Sequence, residues 1–211
     1  MKDDEVYRAR HRERMSYMPY LYHEHLRSDR PHLRWIADWQ RELQAEWTKL
    51  ETIRFGENCF VAPSAHLFGE PHRGIEIGDE STVAADVFLH GPVRIGRRTS
   101  LNPGVHVDGG RAGVTLGNDV RVAAGVKIYA FDHGIAPETT IREQAVRSLG
   151  ITVGDDVWIG ANVCITDGVT VGDHAVLGMG AVVARDVPEW AIVGGVPARI
   201  LGDRRNWPPQ K

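Results

Sequence analysis

Residues 153–188 read VGDDVW, IGANVC, ITDGVT, VGDHAV, LGMGAV and VARDVP, which are six consecutive hexads in one register. An aliphatic residue opens each hexad, and a small apolar residue follows four places later. A six-residue period fits neither an α-helix nor a long alternating strand, so each hexad is predicted to be a short extended segment followed by a bend. Gly, Asn and Asp after the opening residue suit such bends because they tolerate the unusual φ values of tight turns.

The same register runs upstream through IGDEST, VAADVF, LHGPVR, IGRRTS and LNPGVH from residue 77, and resumes as LGNDVR, VAAGVK and IYAFDH from residue 116. Looser copies open at Phe55, Val61 and Leu67. Stacked coils of this kind pair each short strand with those above and below and bury one aliphatic column. The sequence therefore predicts an all-β solenoid, a parallel β-helix of about six coils. A β-sandwich would show alternating strands at irregular spacing, which this chain lacks.

The flanks of the repeat are of different composition. Asp29 and Pro31 are placed to open a helix in which aromatic and aliphatic residues recur every fourth position, at Trp35, Trp39, Leu43 and Trp47. We expect this stripe to cap the first coil, with contact to a partner subunit or an acceptor as alternatives. The predicted organisation is an N-terminal helical extension (1–52), a β-helix domain (53–188) and a short C-terminal closing segment or tail (189–211).

Composition limits the class of partner. The 211 residues carry 25 basic and 28 acidic side chains spread along the chain, for a net charge of −3, which predicts no nucleic-acid and no membrane partner. A small molecule is the expected ligand. No stretch resembles a signal peptide or a transmembrane span, and Cys59 and Cys164 fall at small-residue positions of the repeat. We expect a soluble, cytoplasmic protein.

Over residues 55–202 these features closely resemble the hexapeptide-repeat acyltransferase family, and within it the sugar O-acetyltransferases. The resemblance implies a left-handed parallel β-helix and a homotrimer with each active site shared between neighbouring subunits. It also implies direct transfer of an acetyl group from acetyl-CoA to a hydroxyl of a sugar, nucleotide sugar or related metabolite. N-acetylation of an amino sugar is a close variant. The N-terminal region lacks the acceptor domain of the best-known sugar acetyltransferases, so the resemblance does not identify the acceptor.

The longest break in the repeat is the candidate site of chemistry, because long loops concentrate function. It reads FDHGIAPETTIREQAVRSLGI from residue 131, and His133 matches the position of the family's catalytic histidine. Imidazole suits a general base because its pKa lies near neutrality. Asp132 and Glu143 are two acids that could orient it. The other histidines inside the repeat are expected to have surface or turn roles: His66, His90, His106 and His174.

The resemblance also assigns the donor side of the site. The backbone amide of Ala161 is the implied oxyanion donor. The positions that match the wall for the pantetheine arm of coenzyme A are Trp158, Gly160, Ala161, Gly178, Met179 and Gly180. Each glycine can also be explained as a turn residue. Arg185 and Arg199 match cations for the phosphates, although the family often has Thr-Lys where this chain has Ala184-Arg185.

Asn102 matches a position that contacts the acceptor in sugar acetyltransferases of the family, although Asn-Pro-Gly is also a standard turn. Two other classes of function remain as alternatives. The zinc-dependent γ-carbonic anhydrases share this fold, but their His-x4-His pair has no counterpart here, and the His-Glu-His at 23–25 is a weak metal pattern. We therefore predict no metal cofactor. A non-catalytic scaffold is the second alternative, and the loop histidine argues against it.

Overall fold

The computed structural model describes residues 4–28 and 30–207, which contain three stacks of parallel strands wound into a three-sided β-helix of six coils. Sheet A contains β1 (Ile53–Phe55), β4 (Ile75–Ile77), β7 (Val93–Ile95), β10 (Val114–Leu116), β15 (Ile151–Val153) and β18 (Thr170–Val171). Sheet B contains β2 (Phe60–Val61), β5 (Thr82–Val83), β8 (Ser100–Leu101), β11 (Arg121–Val122), β16 (Trp158–Ile159), β19 (Val176–Leu177), β21 (Ala191–Gly194) and β22 (Arg199–Asp203). Sheet C contains β3 (His66–Phe68), β6 (Phe88–His90), β9 (His106–Asp108), β12 (Lys127–Tyr129), β17 (Cys164–Ile165) and β20 (Val182–Val183).

The strands stack in the register that the hexads predict. Ile77 pairs with Ile95, which pairs with Leu116, and the column continues through Val153 to Val171. Every hexad opener from residue 61 to residue 183 is buried, and only Phe55 is partly exposed. Burying each aliphatic side chain contributes roughly 1.5–3 kcal/mol, so this column is the main source of stability. The predicted β-solenoid is confirmed.

At the corner between sheets A and B, one residue in each turn has a positive φ although it is not glycine. The φ values of these residues lie between 51° and 65°, and they are Asn58, Glu80, Arg98, Asp119, Asp156, His174 and Trp190. Asn and Asp were expected in such turns, but Arg, His and Trp were not. Contacts between coils offset this backbone cost of roughly 1–2 kcal/mol per residue. Arg98 donates to Asp119 at 2.6 and 2.7 Å, and His174 stacks on Trp190 at 4.0 Å.

The N-terminal extension contains three α-helices, α1 (Asp4–Tyr17), α2 (Tyr20–Leu26) and α3 (Trp35–Leu50), with a 3-10 turn at Pro31–Leu33. The predicted helix therefore starts at Trp35, after the 3-10 turn, and its predicted opener Asp29 lies outside the described residues. The ring of Trp39 lies 6.1 Å from that of Phe60 on coil 1. Within the described residues, no helix has the length and apolar character that crossing a membrane requires.

Helix α3 caps the open end of the β-helix through a glutamine side chain. The buried Gln40 amide donates to Val61 O at 3.0 Å, and its oxygen accepts from Val61 N at 2.9 Å. Gln44 donates to Cys59 O at 2.7 Å. These bonds satisfy the strand edge that a further coil would otherwise pair. At the opposite end, β21 extends sheet B parallel to β19, and β22 folds back antiparallel on β21.

The residues of the weak metal pattern have separate partners. His23 Nε2 lies 3.1 Å from Asn58 O, whereas His25 Nε2 lies 3.1 Å from Nε2 of His11 on α1. In the described part of the chain, no group of three or more metal-ligating side chains comes together. Cys59 is buried and Cys164 is partly buried, and both are free thiols.

Candidate active site

The loop that interrupts the repeat leaves coil 4 after β12 and returns at β15, at the corner between sheets C and A. Its base is held by Ser148, whose hydroxyl donates to Ala130 O at 2.5 Å and accepts from the amides of Arg111 and Ala112. Asp167 on the next coil accepts from the amides of Leu149 and Gly150 at 2.9 Å. The loop is therefore anchored to coils on both sides of it.

His133 lies on a short hairpin within this loop. Strand β13 (Asp132–His133) pairs antiparallel with β14 (Val146–Arg147), and His133 lies opposite Val146. The imidazole is exposed, and its ring centre lies 6.2 Å from that of Phe131. The hairpin therefore presents an accessible imidazole to a reactant or a second subunit.

The two acids of the loop have different roles in the structure. Glu143 accepts from the hydroxyl of Thr140 at 2.9 Å in a capping box at the start of a 3-10 turn (Ile141–Glu143). Asp132 is exposed on the strand beside His133. Among the described residues, neither carboxylate forms a hydrogen bond with the imidazole of His133. Glu143 thus stabilises the 3-10 turn of the loop.

The amide of Ala161 lies in the turn between β16 and β17, at the corner between sheets B and C. Its carbonyl accepts from Gly180 N at 2.9 Å, whereas its N–H has no backbone acceptor within residues 4–28 and 30–207. The preceding residue, Gly160, donates across to Leu177 O at 2.8 Å. This turn therefore leaves one N–H free to bind a negatively charged oxygen.

The small residues around Ala161 let neighbouring coils approach each other closely. A Cβ on Gly160 would lie 2.6 Å from Met179 N, and one on Gly178 would lie 3.0 Å from Val193 O. Gly180 has a φ of +73° and open space around it. Trp158 and Met179 beside these glycines are 54% and 77% exposed, which leaves a low apolar wall along the B/C corner.

The two predicted phosphate ligands meet at the end of the solenoid. Arg185 and Arg199 line one cleft of about 510 Å³, together with Ala184 and Pro197. Both arginines are exposed. The cleft adjoins coil 6, whose B/C turn carries Gly178 and Gly180. The two cations and the apolar wall thus lie on the last coils of the solenoid, with Arg185 in the turn that follows sheet C and the wall at the B/C corner.

A profile described as "Bacterial transferase hexapeptide (six repeats)" matches residues 150–185. A second, "Hexapeptide repeat of succinyl-transferase", matches residues 53–90 and 92–130, so the two together cover more than half of the chain. The chain belongs to the hexapeptide-repeat transferase family. Its members wind the short strands that the hexads predict and that the structure contains.

Known proteins of this hexapeptide-repeat family match in sequence and in fold. The galactoside O-acetyltransferase of Escherichia coli is 38% identical over 88 residues, which cover 42% of this chain and 43% of that enzyme. The chain thus spans less than half the length of this curated relative. A hexapeptide-repeat acetyltransferase from Vibrio cholerae is 26% identical with a TM-score of 0.55, covering 92% of this chain and 93% of the other. AntD, an N-acyltransferase from Bacillus cereus solved with dTDP and 3-hydroxybutyryl-CoA, is 23% identical with a TM-score of 0.67, and the match covers 76% of this chain and 88% of AntD. At this identity the similarity shows the fold alone.

In this hexapeptide-repeat protein, Asn102 lies two coils before Gly160 on the B/C corner and lines a cleft of about 390 Å³ against α2. The α2 side of the cleft includes Tyr20, Glu24 and Arg27. Thr82 on the opposite side is 5% exposed, and its hydroxyl has no hydrogen-bond partner among the described residues. A buried unpartnered hydroxyl is costly, and a polar ligand in the cleft would satisfy it.

The sequence patterns did not indicate the polar pair formed by His90 and Asp108. His90 Nδ1 lies 3.2 Å from Asp108 Oδ2, although the two residues were assigned no joint role. They are one coil apart at the same position of sheet C, and β6 and β9 place them opposite each other. A histidine and an aspartate that lie one coil length apart in the sequence would have indicated this pair.

Proposed function

We propose that the protein transfers the acetyl group of acetyl-CoA directly to a hydroxyl of a sugar, a nucleotide sugar or a related metabolite. His133 removes the proton of the attacking hydroxyl, and the N–H of Ala161 stabilises the oxyanion of the tetrahedral intermediate. When the intermediate collapses, the C–S bond breaks, and the departing coenzyme A thiolate takes up the proton that His133 holds. The observation that carries the proposal is the free amide of Ala161, which lies on the glycine-lined B/C corner. Arg185 and Arg199, which share a cleft at the end of the solenoid, would bind the phosphates of coenzyme A.

The relative positions of His133 and Ala161 support a site shared between subunits. His133 extends from the C/A corner, and Ala161 lies on the B/C corner, at the opposite edge of sheet C. Ala124 and Ala130 mark these two corners in coil 4 and are six residues apart, or up to about 20 Å of extended chain. Base and oxyanion donor must both lie about 3 Å from the reacting atoms. A homotrimer, in which each B/C corner meets the loop of the next copy, would bring them together.

The acceptor is proposed to bind beside Asn102. The unpartnered hydroxyl of Thr82 and the side chains of α2 give this cleft the polar groups that a hydroxylated ligand requires. The N-terminal helices would then contribute to the choice of acceptor as well as capping the solenoid. Free thiols at Cys59 and Cys164 are consistent with a reducing compartment, and we propose a cytoplasmic location.

The test is acetyl transfer by the purified protein from acetyl-CoA to a panel of methyl glycosides, nucleotide sugars and amino sugars, followed by release of free thiol. We expect transfer to hydroxyl acceptors. His133→Ala should lower the rate by about 10²- to 10⁴-fold and leave the Kd for coenzyme A unchanged. His72→Asn, at an exposed histidine with φ of 65°, is the matched control and should keep full activity.

Each of three results would contradict part of the proposal. Undiminished turnover in His133→Ala would remove His133 as the base. Absence of transfer to every acceptor, together with a melting temperature that coenzyme A does not raise, would support a non-catalytic scaffold. Transfer to amino sugars alone would establish N-acetylation in place of O-acetylation.

A further inference from the structure

His90 and Asp108 form an oriented imidazole–carboxylate pair on the outer face of sheet C. His90 Nδ1 lies 3.2 Å from Asp108 Oδ2, and the other carboxylate oxygen accepts from Gly110 N at 3.0 Å. The side chains of His90 and Asp108 are 27% and 17% exposed. The backbone therefore holds the carboxylate, and the carboxylate in turn fixes the orientation of the imidazole ring.

This arrangement leaves one ring nitrogen available. An ionised carboxylate only accepts hydrogen bonds, so Nδ1 of His90 carries the hydrogen and Nε2 presents a lone pair. The other carboxylate near Nε2 belongs to Glu70, at 4.0 Å, which is beyond hydrogen-bond distance. Glu70 is instead engaged by Arg73 at 2.9 Å. Nε2 can accept a hydrogen bond from a ligand hydroxyl.

Aromatic rings surround the pair on the same face. The ring of Phe88 lies 6.4 Å from that of His90, 5.5 Å from that of His106 and 5.7 Å from that of Phe68. Phe68 is 45% exposed. An apolar ring surface beside a hydrogen-bond acceptor matches a pyranose, which has an apolar C–H face and hydroxyls at its edge. Arg73 at this point is bound to Glu70, and Lys127 lies beside His106 on the same face.

The height of the pair along the solenoid matches that of Asn102. His90 belongs to coil 2 and Asp108 to coil 3, the same coil as Asn102. In the proposed homotrimer, with its axis along the solenoid, equivalent coils of neighbouring copies lie at one height. The pair of one copy would then face Asn102 of the next copy. One to two coils further along, about 5–10 Å away, the loop with His133 would face Ala161.

We propose that His90, positioned by Asp108, binds a hydroxyl of the acceptor sugar through Nε2 and that the acceptor ring lies against Phe88 and Phe68. The inference rests on the proposed acetyl transfer and identifies the acceptor as a hydroxylated ring. His90 is an acceptor-binding residue and Asp108 a positioning residue.

The chain contains a matched control pair. His174 Nδ1 lies 3.0 Å from Asp156 Oδ2, and these two residues are also one coil apart. This second pair lies at the A/B corner, where Trp190 stacks on His174 and Arg204 donates to Asp156 at 2.8 Å. This second pair is also an imidazole–carboxylate pair, and it is remote from sheet C. Removing it therefore shows how the loss of such a pair affects the fold alone.

The experiment measures steady-state transfer by the full chain with methyl β-galactoside and methyl β-glucoside as acceptors, together with acetyl-CoA hydrolysis in the absence of acceptor. We expect His90→Ala and Asp108→Asn to raise the acceptor KM about tenfold, with the KM for acetyl-CoA and the hydrolysis rate unchanged. His90→Gln, whose amide oxygen can replace Nε2 as acceptor, should recover part of the affinity. His174→Ala should leave the acceptor KM unchanged.

An unchanged acceptor KM in His90→Ala, with an active wild-type protein, would overturn the inference and leave the proposed function intact. An inactive wild-type protein would overturn both. Loss of the trimer in His90→Ala by light scattering, while Asp108→Asn keeps normal kinetics, would show that His90 packs at a subunit interface and would also overturn the inference.

Discussion

The backbone amide of Ala85 donates a 2.7 Å hydrogen bond to the carbonyl oxygen of Ser16 in α1. Ala85 occupies, in coil 2, the turn position that Ala161 occupies in coil 5, because the residue before each donates across to the next coil. The bond to Ser16 shows that the N–H at this position points away from the solenoid and can bind an oxygen from outside. Pro63 and Pro103 hold the same position in coils 1 and 3.

Because Pro63 and Pro103 occupy this turn position, a proline substitution at Ala161 can test the oxyanion donor without disturbing the turn. Ala161→Pro removes the N–H with a residue that this turn already accepts twice, so the fold should persist. We expect kcat to fall by about 10²- to 10³-fold, because one oxyanion donor is lost, with little change in the Kd for coenzyme A. Ala124→Pro makes the same change one coil earlier and should keep its activity. Equal losses in both variants would show a structural effect instead.

Arg185 and Arg199 are expected to bind the phosphates of coenzyme A. Replacing either with Gln should weaken coenzyme A binding about tenfold or more, because a charge-assisted hydrogen bond is lost. Calorimetry with coenzyme A and with its 3′-dephospho form would show which arginine contacts the 3′-phosphate. Arg205→Gln is the control, since this guanidinium is already bound to Asp203 at 2.6 Å and holds the pKa of that carboxyl at about 2. Equal weakening by all three changes would argue for a general charge effect.

Gln40 is expected to be important for stability because its amide completes the first strand edge. Gln40→Leu would leave both the N–H and the carbonyl of Val61 buried without partners, at a cost of about 2–4 kcal/mol. Urea unfolding should show this loss. Glu42→Gln, an exposed change on the same helix, should leave the free energy of unfolding unaltered. A Gln40 variant as stable as the wild type would mean that the helix caps by apolar packing alone.

The His11–His25 contact predicts a pH-dependent N-terminal cap. Burial lowers the pKa of both imidazoles below 6.5, and the charge of His25 further lowers the pKa of His11. Arg14 and His32 add to this effect at His11, and Arg30 and His32 add to it at His25, where Glu24 opposes them. The folded state then binds fewer protons than the unfolded chain as the pH falls below 6.5. Stability should therefore decrease on acidification through this window.

Urea unfolding at pH 7.5, 6 and 5 would measure this decrease. His25→Phe keeps a ring against His11 but removes one titrating group, so its stability should depend less steeply on pH over the same range. Parallel curves for wild type and variant would show that the pair does not contribute.

The fold was largely predictable because its determinants are local and repeated. The side chain of each hexad opener is buried independently of the other openers. The register of Ile77, Val153 and Val171 could therefore be predicted from the sequence without knowing which strands pair. The loop around His133 was recognisable because no hexad opener recurs within it. The individual helices before residue 28 were not located within the predicted helical extension (1–52), because their charged sequence has no apolar period and they are held by docking on Phe60 and Ala85.

The sequence by itself therefore determined the solenoid, its core column and the segment that carries the histidine. Only the tertiary structure decided that Gln40 meets Val61 and that Arg185 shares a cleft with Arg199. It also placed His133 and Ala161 at different corners. The physical reason is that insertions of different length separate successive coils, so the contacts between coils depend on how the whole stack aligns and not on spacing along the chain.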